Sequence, residues 1–215
     1  MSQTEAMLLK RYSNKQLVQE TPERAVYIAT EGTSSKRQVS LCEWHFNCCA
    51  PATRDALRSE VEALYQRLAG FGHPGVVGIG NIWRVLDVVH VVSPEIDGSS
   101  LSDIVAYADG RLPLPVVLDW TDAICDILEY FHAQTPPFHL PHLGPDDFVL
   151  DMSGRVIFKE ISYGPQQLAT GTDRSTSAMA DRCKGDVTSD IRGLGGILYT
   201  LLTRKSLSEM PGDEP

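Results

Sequence analysis

Hydrophobic positions along this chain change period several times, and the changes mark its elements. Residues 17–46 read as strands: Ala25–Ala29 and Val39–Cys42 are short β-favouring runs, separated by the turn-rich stretch Thr30–Lys36. The period then becomes helical. Leu57, Val61, Leu64 and Leu68 recur at +4, +3 and +4, with Arg54, Glu62 and Arg67 between them, which predicts an amphipathic helix over 53–69. Residues 82–96 return to strand through Val88–Val92. Ser99 or Ser100 is placed to cap a short helix over 101–108. A long helix follows Pro115, with Val117, Trp120, Ile124, Leu128 and Phe131 on one stripe, and stops at Pro136-Pro137. After a turn at Gly144-Pro145, the runs Phe148–Leu150 and Val156–Phe158 flank the tight turn Asp151–Gly154 and predict a β-hairpin. Residues 163–185 are small and polar. The nearly continuous apolarity of 189–203 predicts a helix buried on most sides.

Composition narrows the function classes. The 215 residues are enough for one two-lobed domain or two small ones, and 42% hydrophobic with 22% charged content is ordinary for a globular protein. A net charge of −9 argues against a general binder of nucleic acid or anionic membranes. No apolar run approaches the roughly 18 residues that a membrane span needs, and the first 16 residues lack the apolar core of a signal peptide. Five cysteines, Cys42, Cys48, Cys49, Cys125 and Cys183, show no C-x-x-C spacing, so free thiols in a reducing cytoplasm are expected. The vicinal pair Cys48-Cys49 fits a surface loop more simply than a redox or metal element. Gly75–Gly80 contains G-x-G but lacks the third glycine and the following helix of a dinucleotide site.

The central stretch carries the chemistry. Residues 137–164 resemble the catalytic-loop and metal-loop region of the protein kinase family, whose pattern is H-R-D-x-K-P-x-N, strand, D-x-x-G, strand, D-F-G. In that register H-R-D falls on Leu140, Pro141 and His142, the loop lysine on Gly144, the proline on Pro145 and the asparagine on Asp147. D-F-G falls on Glu160, Ile161 and Ser162. Helix 53–69 resembles the family's C-helix, with Glu60 at the ion-pairing glutamate, and His73-Pro74-Gly75-Val76 resembles the turn after it. Residues 93–98 match the hinge, where Pro94 removes a backbone donor. Ser189–Thr203 resembles the F-helix, and that likeness implies that Asp190 anchors the catalytic loop's backbone. The three glycines of the phosphate loop fall on Gln19, Thr21 and Arg24, and V-A-I-K reads Val39-Ser40-Leu41-Cys42. Residues 163–185 match the activation segment, with Ala180-Asp181-Arg182 in place of A-P-E. Pro141 replaces the arginine that pairs with a phosphorylated segment.

The resemblance implies an α+β, bilobal protein-kinase-like fold over residues 12–203. Its small antiparallel N-lobe covers about 12–93 and its mainly helical C-lobe about 98–203, with flexible termini at 1–11 and 204–215 and a C-lobe that is truncated or minimal after the F-helix. It also implies a pseudokinase. Cys42, Glu60, His142, Asp147 and Glu160 stand at degenerate catalytic positions, so no catalytic residue and no cofactor is expected. Asp147 and Glu160 remain oxygen ligands for weak Mg²⁺ binding, although solvated loop carboxylates are the simpler reading. Glu60, lacking a lysine partner, is expected to be a solvated helix residue. His142 has the pKa range of a base. Asp147, Glu160 and His142 define the alternative, a divergent ATP- and Mg²⁺-dependent Ser/Thr kinase. Leu64, Leu140 and Ile161 occupy the family's apolar spine. The expected role is a cytoplasmic protein-interaction module, and a third possibility is a truncated fragment without function.

Overall fold

The alternating apolar positions of the first hundred residues form five antiparallel strands: β1 (Tyr12–Glu20), β2 (Arg24–Glu31), β3 (Gln38–His45), β4 (Asn81–Val85) and β5 (Val88–Pro94). The computed structural model describes residues 10–32, 36–47, 51–140, 143–159 and 186–205. Within these, one unit holds the chain up to Gly72 with Val77–Glu95, and the other holds His73–Val76 with the chain from Ile96 onward.

In the first unit the sheet order is β1-β2-β3-β5-β4. One face carries Tyr12, Ala29, Val39, Leu41, Trp83, Val85 and Val92 as a buried cluster. Tyr12 stacks on Trp83 at 5.4 Å, and Trp83 stacks on His90 at 5.0 Å. Asn81 Nδ2 donates to the Tyr12 hydroxyl at 2.8 Å. β1 and β4 are the two edges of this sheet, so these contacts curl it until its edges meet across the face. Helix α1 (Pro51–Ala69) packs on the opposite face, where Trp44 Nε1 donates to the Tyr65 hydroxyl at 3.2 Å. The helix stripe is Leu57, Val61, Tyr65 and Leu68, all buried, while Leu64 is only half-buried. Tyr65 displaces Leu64 because its ring reaches Trp44, which a leucine side chain cannot do with a hydrogen bond. β1 begins earlier than residue 17. Its sequence YSNKQLVQE is mostly exposed and polar, so periodicity does not reveal its start.

The second unit opens with β6 (Gly98–Ser100), paired to β7 (Phe148–Asp151), which pairs to β8 (Val156–Phe158), all antiparallel. Ser100 caps helix α2 (Leu101–Tyr107) by accepting from the Asp103 N–H at 3.0 Å. Helix α3 (Leu114–His132) buries Val117, Ile124, Ile127, Leu128 and Phe131. Phe131 meets Phe138 and Phe158 edge-on at 5.1 and 5.4 Å, and Phe148 meets Phe158 at 5.7 Å. This aromatic cluster joins α3, the loop after it and the β7–β8 hairpin, and each edge-to-face pair contributes about 0.5–1.5 kcal/mol beyond area burial. The hairpin turn is tied at Asp151, whose carboxylate accepts from Ser153 Oγ and N–H and from the Arg155 N–H and guanidinium. Those bonds, led by Ser153, hold its carboxyl well below the usual carboxylate range.

Helix α4 (Val187–Thr203) corrects the expectation of burial on most sides. Asp190, Gly196, Ile197 and Leu201 are buried, while Val187 is 51% and Ile191 57% exposed. Among the described residues its partners lie on one face, chiefly α3 and the loop at Leu143. Gly193 permits that approach, because a Cβ there would meet the Leu143 backbone oxygen at 2.9 Å.

Candidate functional site

Each unit presents its share of the kinase-like positions. In the sheet unit, alternation along β3 places Ser40, Cys42 and Trp44 on the α1 face, opposite Val39 and Leu41. Cys42 is buried and pairs in register with Val26 and Val91. Its thiol supplies no cation. Glu60 is half-buried on α1 rather than solvated, because it lies on the flank of the packed stripe.

The β1–β2 turn decides what this unit offers a phosphate. The Thr21 N–H donates to the Arg24 carbonyl at 2.7 Å. The Arg24 N–H donates to the Thr21 carbonyl and to Thr21 Oγ1, at 3.3 and 3.1 Å. Pro22 has no N–H. Of the four residues 21–24, at most the Glu23 amide remains for a ligand. The Glu23 carboxylate accepts from Thr21 Oγ1 at 3.2 Å, which brings negative charge to the same turn. Arg24 does not offset it outward, because its guanidinium lies over the Trp44 ring, 5.5 Å from the centroid.

In the helical unit, Asp147 closes a short 3₁₀ turn (Pro145–Asp147). Its carboxylate accepts the Gly144 N–H at 2.8 Å and its carbonyl accepts the Lys159 N–H at 2.8 Å. Asp147 is 3% exposed, so it is not the solvated loop residue expected from sequence. This pairing occupies one carboxylate oxygen inside its own loop, as a buried acceptor requires. Leu140 is buried, as the apolar-spine position requires. His142, Glu160 and Ile161 lie outside the described residues, as do the vicinal cysteines and the activation-segment hydroxyls.

Asp190 is the hub of this unit. It is fully buried, and its Oδ1 accepts the Leu140 N–H at 2.8 Å, which is the backbone anchoring the motif implied. Its Oδ2 lies 2.6 Å from His132 Nε2 and 3.1 Å from His139 Nδ1. The two histidines are the functional-looking residues that sequence reading missed. Their spacing places one at the end of α3 and the other beyond a Pro-Pro break, so only the fold brings both to a residue more than fifty positions later. A cleft of about 480 Å³ in the same unit, lined by Trp120, Asp119, Asp126 and His73 among others, contains none of the expected site residues.

A five-stranded sheet carrying one helix, together with a helical unit that holds a hairpin and a buried helix aspartate, defines a protein of kinase-like fold. The solved apo form of PpkA-294, a fragment of a bacterial Ser/Thr kinase, matches this chain with a TM-score of 0.71 at 13% sequence identity. The match covers 91% of this chain and 76% of that one. Likeness at this identity shows the fold alone. No family model matches the sequence, and no curated protein matches it.

Proposed function

We propose that this chain is a catalytically inactive kinase-like module that acts by binding a protein partner, without ATP or Mg²⁺. The observation that carries the reading is the β1–β2 turn. Backbone amides are what a phosphate loop offers, and here those of Thr21 and Arg24 are already paired. Phosphoryl transfer depends on positioning and charge neutralisation of the phosphates. Cys42 removes the strand cation, and Asp147 spends carboxylate capacity on its own loop. Losing one such electrostatic partner at a transition state typically costs about 2.7–4 kcal/mol. Partner binding is supported by apolar pairs left on helix surfaces, Leu114 with Leu118 and Val187 with Ile191. Each pair is spaced i, i+4 and so shares a face.

The test is phosphate incorporation from γ-labelled ATP with Mg²⁺ or Mn²⁺, into the chain itself and into a generic basic protein substrate. No incorporation above a protein-free control is expected. Incorporation that disappears in Asp147→Ala would overturn the reading and establish the divergent-kinase alternative.

A further inference from the structure

We propose that His132, His139 and Asp190 form a binding site for a zinc-class divalent transition metal. The site is separate from any nucleotide chemistry, and it ties together the end of α3, the loop before the hairpin and the first turn of α4.

The geometry is that of a ligand set. His132 Nε2, His139 Nδ1 and one Asp190 carboxylate oxygen lie within 4.8 Å of one another. The imidazoles are 5.0 Å apart at 48°, so both rings converge on Oδ2 from different directions. Zinc binds nitrogen and carboxylate oxygen at about 2.0–2.2 Å, which puts tetrahedral ligand edges near 3.3 Å. Against the observed edges of 2.6 and 3.1 Å, the ion requires His132 to draw back by about 0.7 Å and His139 by about 0.2 Å. Asp190 Oδ1 is held by the Leu140 N–H, an outer-shell bond that fixes the carboxylate while Oδ2 faces the ring nitrogens.

Charge and access favour an ion as well. Asp190 has no exposure, and its carboxylate meets two histidines and one neutral amide. A buried carboxylate calls for a compensating cation. His132 and His139 retain 22% and 19% side-chain exposure, which leaves an open side for entry and for a completing water. Two imidazoles with one carboxylate select zinc, copper or nickel over magnesium or calcium, which prefer all-oxygen shells.

The test is titration of the metal-free chain with Co²⁺ as an optical probe, then displacement by Zn²⁺. One equivalent should produce visible d–d bands without a thiolate charge-transfer band. His139→Gln, with folding checked by circular dichroism, should weaken binding by at least about tenfold. In the wild type, two imidazole nitrogen pairs should shift on Zn²⁺ addition in long-range ¹H–¹⁵N spectra, which covers a variant that fails to fold. A thiolate charge-transfer band, unchanged affinity in folded His139→Gln, or imidazole resonances unmoved by Zn²⁺ would each overturn the proposal.

Discussion

A carboxylate with no solvent exposure is stable only if its neighbours replace the water it has lost, and Asp190 shows how this chain arranges that. Its two oxygens take the Leu140 amide and two imidazoles. Replacing Asp190 with Ala leaves the buried Leu140 N–H without its acceptor, a loss of about 1–3 kcal/mol for that donor alone. Leu140→Ala should cost about 2–5 kcal/mol through cavity formation. Urea denaturation of both variants, with exposed Glu129→Ala as control, checks this. Core variants within about 0.5 kcal/mol of wild type, the size usual for surface changes, would show that the anchored loop contributes nothing. Asp190 and Leu140 were legible in the sequence because each sits in a recognisable local frame. His139 was not, because its partner is set by tertiary approach, and Asp147 was read as solvated because loop position says nothing about an internal hydrogen bond.

At the scale of elements, β3 and β5 carry an ionic cluster inside the curled sheet. Glu43 Oε1 lies 2.6 Å from Lys15 Nζ and 3.5 Å from His90 Nδ1. Burial alone would raise the Glu43 pKa, but the neighbouring His90 and the hydrogen-bonded Lys15 ammonium hold it at about 2, against an ordinary value of 4.5. The unfolded chain therefore takes up this proton first as pH falls. The stabilisation is complete above about 4.5 and is lost as pH drops toward 2. Chemical denaturation from pH 7 to pH 2 should show wild type losing its advantage over Glu43→Gln across that window. A constant difference between the two would contradict the pairing. Element identities were read well from periodicity: the 148–158 hairpin, the Ser100 cap and the long helix on the Val117 stripe. Boundaries and faces were harder. Tyr65 took the place of Leu64 because of a bond to Trp44, and α4 reads as buried on most sides because apolar residues mark a helix without naming how many of its sides have partners.

For the whole molecule, the kinase-like order of strands and helices persists, while among the described residues the phosphate-turn amides of Thr21 and Arg24 are paired and the strand-cation position holds the buried thiol of Cys42. Fold was legible because it depends on the order of strands and helices, which survives wholesale substitution; the match to a solved kinase fragment at 13% identity makes the same point. The proposed loss of catalysis was legible only in residue type. That the Thr21 and Arg24 amides are consumed by their own turn shows only in the folded chain. A ligand present at 100 times its dissociation constant stabilises a protein by about 2.7 kcal/mol, and for a chain of this size each kcal/mol moves the melting temperature by roughly 2–4 °C. The decisive measurement is a thermal melt with and without millimolar Mg·ATP. If the phosphate partners are gone, the two transitions will superimpose. A rise of several degrees that requires both nucleotide and metal would contradict the inactive reading.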